Sequence, residues 1–341
     1  MRAGMRTMRI TIPQPKRVFP AAMLLTAAFL AVAFLSGCGP ETGPSGTVDR
    51  SYTVSGPVRL ELSNGSGNSR VSVGPAGEVR IHAEFRVRDW PWDDPERTLK
   101  DLLANPPFSQ EGDLIRIGAS GWHRTEFSAD YTVTVPPDTQ MRGFSGSGNL
   151  DVDGIAGPAN FTLGSGNIRA TGIQNDLRVI VGSGNVTFAD AKGRIDAAAG
   201  SGEVVIRGAK GDVRARTGSG EITIEQPAGN VEASAGSGNI QVRDATADLR
   251  LHSGSGEINI EGNPGPANFW DIRASSGDVT LHVPSNASLR FYAHTGSGDI
   301  SVSAPSVSDR SSDSRHDYEA RLGDGKARVE IETSSGNISL H

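Results

Sequence analysis

The stretch Gly182–Ala199, GSGNVTFADAKGRIDAAA, holds one complete unit of this chain. Counting from Gly182, positions 5 and 7 are apolar (Val186, Phe188) and a turn-like stretch follows (Asp190, Lys192, Gly193). Positions 14, 16 and 18 are then apolar or small (Ile195, Ala197, Ala199). Alternation with period two marks strands that bury one face. The next unit keeps the frame with Val204, Ile206, Val213 and Ala215, and the one after with Ile222, Ile224, Val231, Ala233 and Ala235. The opening Gly-Ser-Gly-Asn/Glu starts at Gly146, Gly164, Gly182, Gly200, Gly218, Gly236 and Gly254, always 18 residues apart. Degenerate copies begin at Ser275, Gly296 and Ser334, and an outlying copy at Gly65.

A unit this short cannot bury its apolar face alone, but stacked units can, each strand pairing with its counterpart one turn later at roughly 4.8 Å. A propeller blade needs about 40 residues and four strands. The fold expected is therefore all-β, a single-chain parallel β-solenoid with ~18-residue coils and two short strands per coil. The Gly residues permit positive φ at a sharp corner. Leu150, Ile168, Val186, Val204, Ile222, Ile240 and Ile258 share one place in the coil and should form one interior column.

Outward positions agree with in-register stacking. Position 15 alternates in sign through Arg178, Asp196, Arg214, Glu232, Arg250 and, after a three-residue insertion, Asp271. Position 8 does the same through Arg207, Glu225, Arg243 and Glu261. Opposite charges on neighbouring strands help and like charges hurt, so these columns set register more than stability.

The first 37 residues read as an export signal. Arg2, Arg6, Arg9, Lys16 and Arg17 precede an apolar run from Val18 to Leu35, closed by Leu35-Ser36-Gly37-Cys38. Basic, apolar and small-residue regions in that order are the marks of a secretory signal. A plain membrane anchor is the alternative, since the run is about long enough to span. Leu-Ser-Gly-Cys resembles the lipobox of bacterial lipoproteins, which implies cleavage before Cys38, acylation of that residue and attachment to membrane lipid. Gly39 after Cys38, by the same resemblance, permits outer-membrane sorting. Residues 38–47 read as a tether.

Loss of residues 1–37 removes five basic and no acidic residues, so the formal charge goes from −6 to about −11. An acidic chain does not suit nucleic acid, whose binders cluster Lys and Arg. Cys38 is the only cysteine, so disulfides contribute nothing and the stacked strands must carry the stability.

Two regions break the repeat. Residues 48–143 begin with strand patterns (Tyr52–Val54, Val58–Leu62, Val71–Val73, Val79–Phe85), and regularity stops between Arg86 and Arg142. That insertion carries Trp90, Trp92 and Trp122, a short helix from N-cap Asp94 and Pro95 to about Leu103, and strands at Leu114–Ile117 and Tyr131–Val135. It fits first a cap over an exposed solenoid end, and second, without excluding the cap, a binding patch, because tryptophans suit sugar or peptide contact. Residues 144–302 form the regular solenoid. Residues 303–326, rich in Ser, Asp and Arg, read as a polar loop, and residues 327–341 rejoin the stack as the final coil.

Tyr131-Thr132-Val133-Thr134-Val135-Pro136, followed by the Ser-Gly-Asn/Asp coils, resembles the bacterial adhesin-like toastrack domain, a domain of unknown function. The resemblance spans roughly residues 50–341 and implies a β-solenoid at the cell envelope with no catalytic residues to carry over.

The column Asn149, Asn167, Asn185, Glu203, Glu221, Asn239, Glu257, Asp278 and Asp299 offers stacked oxygens. The nonapeptide calcium pattern is absent, and Asn and Ser ladders explain the column with no ion. No motif asks for a metal or cofactor. His252, His282 and His294 fall on neighbouring coils, with His252 and His294 outward at position 17 and Arg273 between them. The GSG corners are not G-x-S-x-G elbows, and the charges alternate where a polysaccharide-cleaving groove would cluster carboxylates. The function expected is a lipid-anchored, non-catalytic envelope protein that binds a surface glycan or an envelope protein, adhesin-like or scaffolding. Its alternatives are an envelope-stress or signalling accessory docked on a membrane partner, and a polysaccharide-active enzyme.

Overall fold

The computed structural model describes residues 43–88, 94–118, 127–304, 307–313 and 315–341. Each regular coil has a four-residue strand, such as Val186–Ala189, and a seven-residue strand, such as Ile195–Ser201. Successive short strands pair in parallel, and Leu150, Ile168, Val186, Val204, Ile222, Ile240 and Ile258 are successive partners and all are buried. The long strands pair likewise, and the two series make sheets of 14 and 15 described strands. The chain is a β-solenoid, as its 18-residue period predicts.

The seven-residue strand runs straight into Gly-Ser, and the chain turns at the second glycine. Gly184, at φ 141°, is the example: a Cβ there would overlap the Gly166 carbonyl of the coil before. Stacking brings the corner backbones into direct contact, which leaves room for hydrogen only. A second corner lies at position 9, where Gly154, Gly172, Asp190, Gly208, Gln226 and Asp244 all have φ between 54° and 78°. Three non-glycine residues accept the left-handed conformation there because their side chains are not pressed onto the coil below.

The core is filled by volume exchange between the sheets. Where the short strands supply Phe188, Ile206 and Ile224, the long strands supply Ala197, Ala215 and Ala233. Where the short strand offers only Ala170, the long strands offer Phe161 and Val179. Gly143 makes space for that phenylalanine, since a Cβ on it would lie 2.7 Å from the Phe161 ring. Large faces small, as close packing requires.

The ends are assembled differently. At the first, Arg59–Ser66 and Ser69–Val73 form a coil beneath Gln140–Ser147 and Leu150–Asp153. Below it lies another coil, Leu114–Ile117 and Phe127–Val135, which restores regularity inside the region expected to lack it. Glu78–Val87 then adds antiparallel to Phe127–Val135, and Ser45–Thr53 adds antiparallel to Glu78–Val87. The expected tether therefore ends early, because its last three residues pair with the sheet. Phe108–Glu111 closes the other sheet as an antiparallel hairpin with Leu114–Ile117. The helix Pro95–Ala104 starts at Asp94, whose side chain accepts the Arg97 N–H at 3.1 Å, and buries Leu99 and Leu102 against the first strands. Phe85, Phe127 and Tyr131 fill the base with edge-to-face contacts at 5.7 and 6.2 Å, and burial pushes the Tyr131 hydroxyl pKa up.

At the other end the order of coils differs from the order of the chain. Ala327–Ser335 and Ile338–Leu340 lie between the coil Phe269–Ser276/Val279–His282 and the coil Leu289–Ser297/Ile300–Val302. The last coil of the chain is thus the next to last in space, and the stack is not continuous through residue 302. Residues 303–326 are not a loop: Val307–Asp313 and Asp317–Leu322 form an antiparallel hairpin on the outside of Leu289–Ser297. Tyr318, Ala320 and Leu322 alternate inward in a segment whose polar composition hides its period.

Candidate binding face

The long-strand sheet and the turn that leads into each of its strands point three columns of side chains outward. The middle column reads Arg116, Glu61, Arg142, Asn160, Arg178, Asp196, Arg214, Glu232, Arg250 and Asp271 across successive strands. Arg116 Nε meets Glu61 at 3.0 Å and Arg214 meets Glu232 at 2.6 Å. On the other sheet Glu225 sits between Arg207 at 2.8 Å and Arg243 at 3.2 Å. That second ladder does not pass on to Glu261 in the expected register, because a bulge between Val242 and Ala245 shifts the pairing.

The middle column changes at Asn160. A neutral amide stands where the alternation calls for a charge, flanked on its two neighbouring strands by Arg142 and Arg178. Asp196 approaches Arg178 only to 4.0 Å. Among the described residues, Arg59, Arg142 and Arg194 have no ion-pair partner within 4 Å. The adjacent column is uncharged over the same coils, reading Phe144, Thr162, Ile180 and Ala198 before Arg216. Phe144 is 51% exposed and Ile180 42%. Two shallow grooves, of ≈ 530 and ≈ 450 Å³, share the Glu61–Arg142–Asn160 segment between them. The sequence carries the signal for this face as Asn160 in a charge column and Phe144 and Ile180 at outward positions, but before Arg178 the sign alternation lapses and only the register shows that the column continues.

The position-4 column is an asparagine ladder. Asn149 Oδ1 accepts the Asn167 backbone N–H at 3.0 Å, Asn167 that of Asn185 at 2.9 Å, and Asn185 that of Glu203 at 3.0 Å. Each side chain supplies an acceptor to a corner N–H of the next coil, where the strand ladder has turned away. A second such ladder, not anticipated, runs at position 13 through Asp176 to Arg194, Asp212 to Asn230, and Asn230 to Asp248. These oxygens are spent on backbone donors, and among the described residues no three metal-ligating side chains converge.

His252, His282 and His294 do not converge either, although His282 stacks on His341 with ring centroids 4.9 Å apart. Arg273 and Glu332 both stand between His252 and His294, because the inserted terminal coil adds one strand to the expected separation. His294 pairs with Asp317 and His82 with Asp49, each at 2.7 Å, and each pair joins adjacent antiparallel strands at opposite ends of the solenoid. Cys38, Trp90, Trp92 and Trp122 lie outside the described residues. Among the described residues no helix is long and apolar enough to cross a membrane.

The model of the Toastrack DUF4097 family matches residues 138–244 and 211–341, which together span more than half of the chain. The chain belongs to that family. Solved structures similar to this toastrack chain include a candidate cell-adhesion protein from Clostridium sporogenes, 12% identical with a TM-score of 0.23 over 86% of this chain and 98% of that one. A candidate adhesin from Bacteroides fragilis is 11% identical, with a TM-score of 0.37 over 86% and 97%. Another from Parabacteroides merdae is 9% identical, with a TM-score of 0.30 over 86% and 96%. None of the curated proteins matches. The second family match begins at Gly211, inside the regular coils, so the toastrack pattern covers the middle and the rearranged C-terminal end alike.

Proposed function

We propose that this toastrack protein is a lipid-anchored, non-catalytic binding protein of the cell envelope, adhesin-like, and that it makes contact through the face around Phe144 and Arg142. One observation carries this: the charge ladder breaks at Asn160, and the coils on either side of it expose Phe144 and Ile180 in the neighbouring column. An exposed phenylalanine beside arginines without ion-pair partners contributes little to folding, and aromatic and arginine side chains are the groups that dominate interfaces. The surroundings favour binding over catalysis, since the groove's carboxylates, Glu61, Asp176 and Asp196, stand among arginines and do not face one another as an isolated pair.

Anchoring follows from the Leu-Ser-Gly-Cys motif, with Cys38 as the acylated residue. Cys38→Ser should move the protein from the membrane to the soluble fraction. Firm retention would mean that the apolar run from Val18 to Leu35 stays as a helix.

The binding face is tested with Phe144→Ser combined with Arg142→Gln, set against Trp90→Ala, Trp92→Ala and Trp122→Ala in one protein. Circular dichroism confirms that each remains folded. Loss of attachment to envelope surfaces in the first variant and retention in the second supports the face described. The reverse moves the site to the tryptophan-bearing insertion. A crosslinking pull-down that returns a single membrane protein favours the signalling-accessory role over adhesion.

A further inference from the structure

We infer that the ligand of this face is an extended acidic polysaccharide bearing carboxylates at spaced intervals, a polyuronate, lying along the solenoid axis. The inference rests on the face around Phe144 being the binding surface. Every strand beneath the face is already paired on both sides, so no backbone groups are free to add a peptide strand, and a ligand is read by side chains alone. Arg142 and Arg178 stand two coil steps apart along the axis, roughly 10 Å, from twice the strand spacing. Two guanidinium forks in line suit two carboxylates of one extended chain, each held by paired N–H donors. Asn160 between them supplies both a donor and an acceptor to the intervening ring. Phe144 and Ile180, one column to the side, offer an apolar surface to the C–H faces of the sugars.

The same groove tells a hydroxyl-bearing polyanion from a phosphodiester chain. Arg59, Arg142, Arg178 and Arg194 line it together with Glu61, Asp176 and Asp196. The carboxylates accept from the ring hydroxyls that a uronate chain carries beside each of its own carboxylates and that a DNA backbone lacks. Nucleic acid needs clustered cations and meets here an almost balanced groove on an acidic protein.

The full-length protein in detergent, titrated with polygalacturonate, dextran and single-stranded DNA at low and high salt, tests this. Polygalacturonate should bind, more weakly at high salt, and dextran and DNA should not. Arg142→Gln with Arg178→Gln should weaken polygalacturonate binding about tenfold or more, while Lys at both positions keeps part of it. Dextran bound as well as polygalacturonate, or DNA bound more tightly, would overturn the ligand class. So would a protein that ignores polygalacturonate yet still attaches to envelope surfaces through Phe144, and in that case the face itself stands. If Phe144→Ser also leaves attachment unchanged, the face falls with it.

Discussion

In the middle of the solenoid each coil touches the coils that precede and follow it in the chain, as Val186 touches Ile168 and Val204. At the ends a coil touches strands far away in the chain, as Arg59 pairs with Leu114 and Trp270 with Val329. The middle is therefore a one-dimensional array held by nearest-neighbour terms, and its coils are close to interchangeable. The ends are built by closure. A strand edge and an apolar floor have to be covered, and whichever segment does so is held by contacts between residues far apart in the chain.

Deletion is the largest way to break this comparison. Removal of Gly182–Ala199 joins Val181 to Gly200 in frame, and the shortened protein should fold with the cooperative melt and strand signal of the parent. Removal of Ala327–His341 takes away fewer residues and should do far more damage. It opens a slot between Trp270 and Phe291, both fully buried, and strips the hairpin of its support. Dye binding and early proteolysis between residues 284 and 326 should report it. Equal tolerance of both deletions would mean that the terminal coil is dispensable.

Within the regular coils the two corners should respond differently. Gly184→Ala forces a Cβ into the Gly166 carbonyl and should cost about 3 kcal/mol or more by denaturant unfolding. Gln226→Gly relieves a left-handed residue at the other corner and should add about 0.5–1 kcal/mol, reduced by the greater freedom of glycine in the unfolded chain.

The smallest effect belongs to the ladders. Arg214→Glu sets a negative charge between Asp196 and Glu232, and the melting temperature should fall by no more than about 2 °C, less in high salt. The Arg214 hydrogen bond holds the Glu232 carboxyl below the usual carboxylate range. That contribution is present above the unfolded carboxyl pKa and is lost as pH falls through the folded one. The difference between variant and parent should therefore be present at neutral pH and shrink in acid. A difference that ignores salt and pH would mean that the buried Arg214 Nε, which has no hydrogen-bond partner, matters more than the charge.

The middle was legible because every coil repeats the same test. Val186 and Phe188 in one unit mean little alone, but the same frame at seven starts leaves one arrangement that buries all of them. Asp94 and Pro95 marked the helix start by the same local logic. The candidate face was half legible: Asn160 and Phe144 were in plain sight, but only the register aligns the ladder's break with the uncharged column. The hairpin over residues 307–322 was hidden because Tyr318, Ala320 and Leu322 are diluted by charged neighbours.

The sequence by itself determined the coil length, the inward column, the sign alternation of the ladders and the corner glycines. All of these are properties of one unit and its nearest neighbours, and a fixed period writes them repeatedly. Only the tertiary structure decided that the terminal coil slides between two earlier ones, that Ser45–Thr53 and Val307–Asp313 close the sheets at opposite ends, and that Arg142, Asn160 and Arg178 stand in one line beside Phe144. Those outcomes depend on which long-range partner best covers an exposed edge. The competing partners share the same apolar pattern, so the choice rests on the fit of surfaces brought together only in the folded chain.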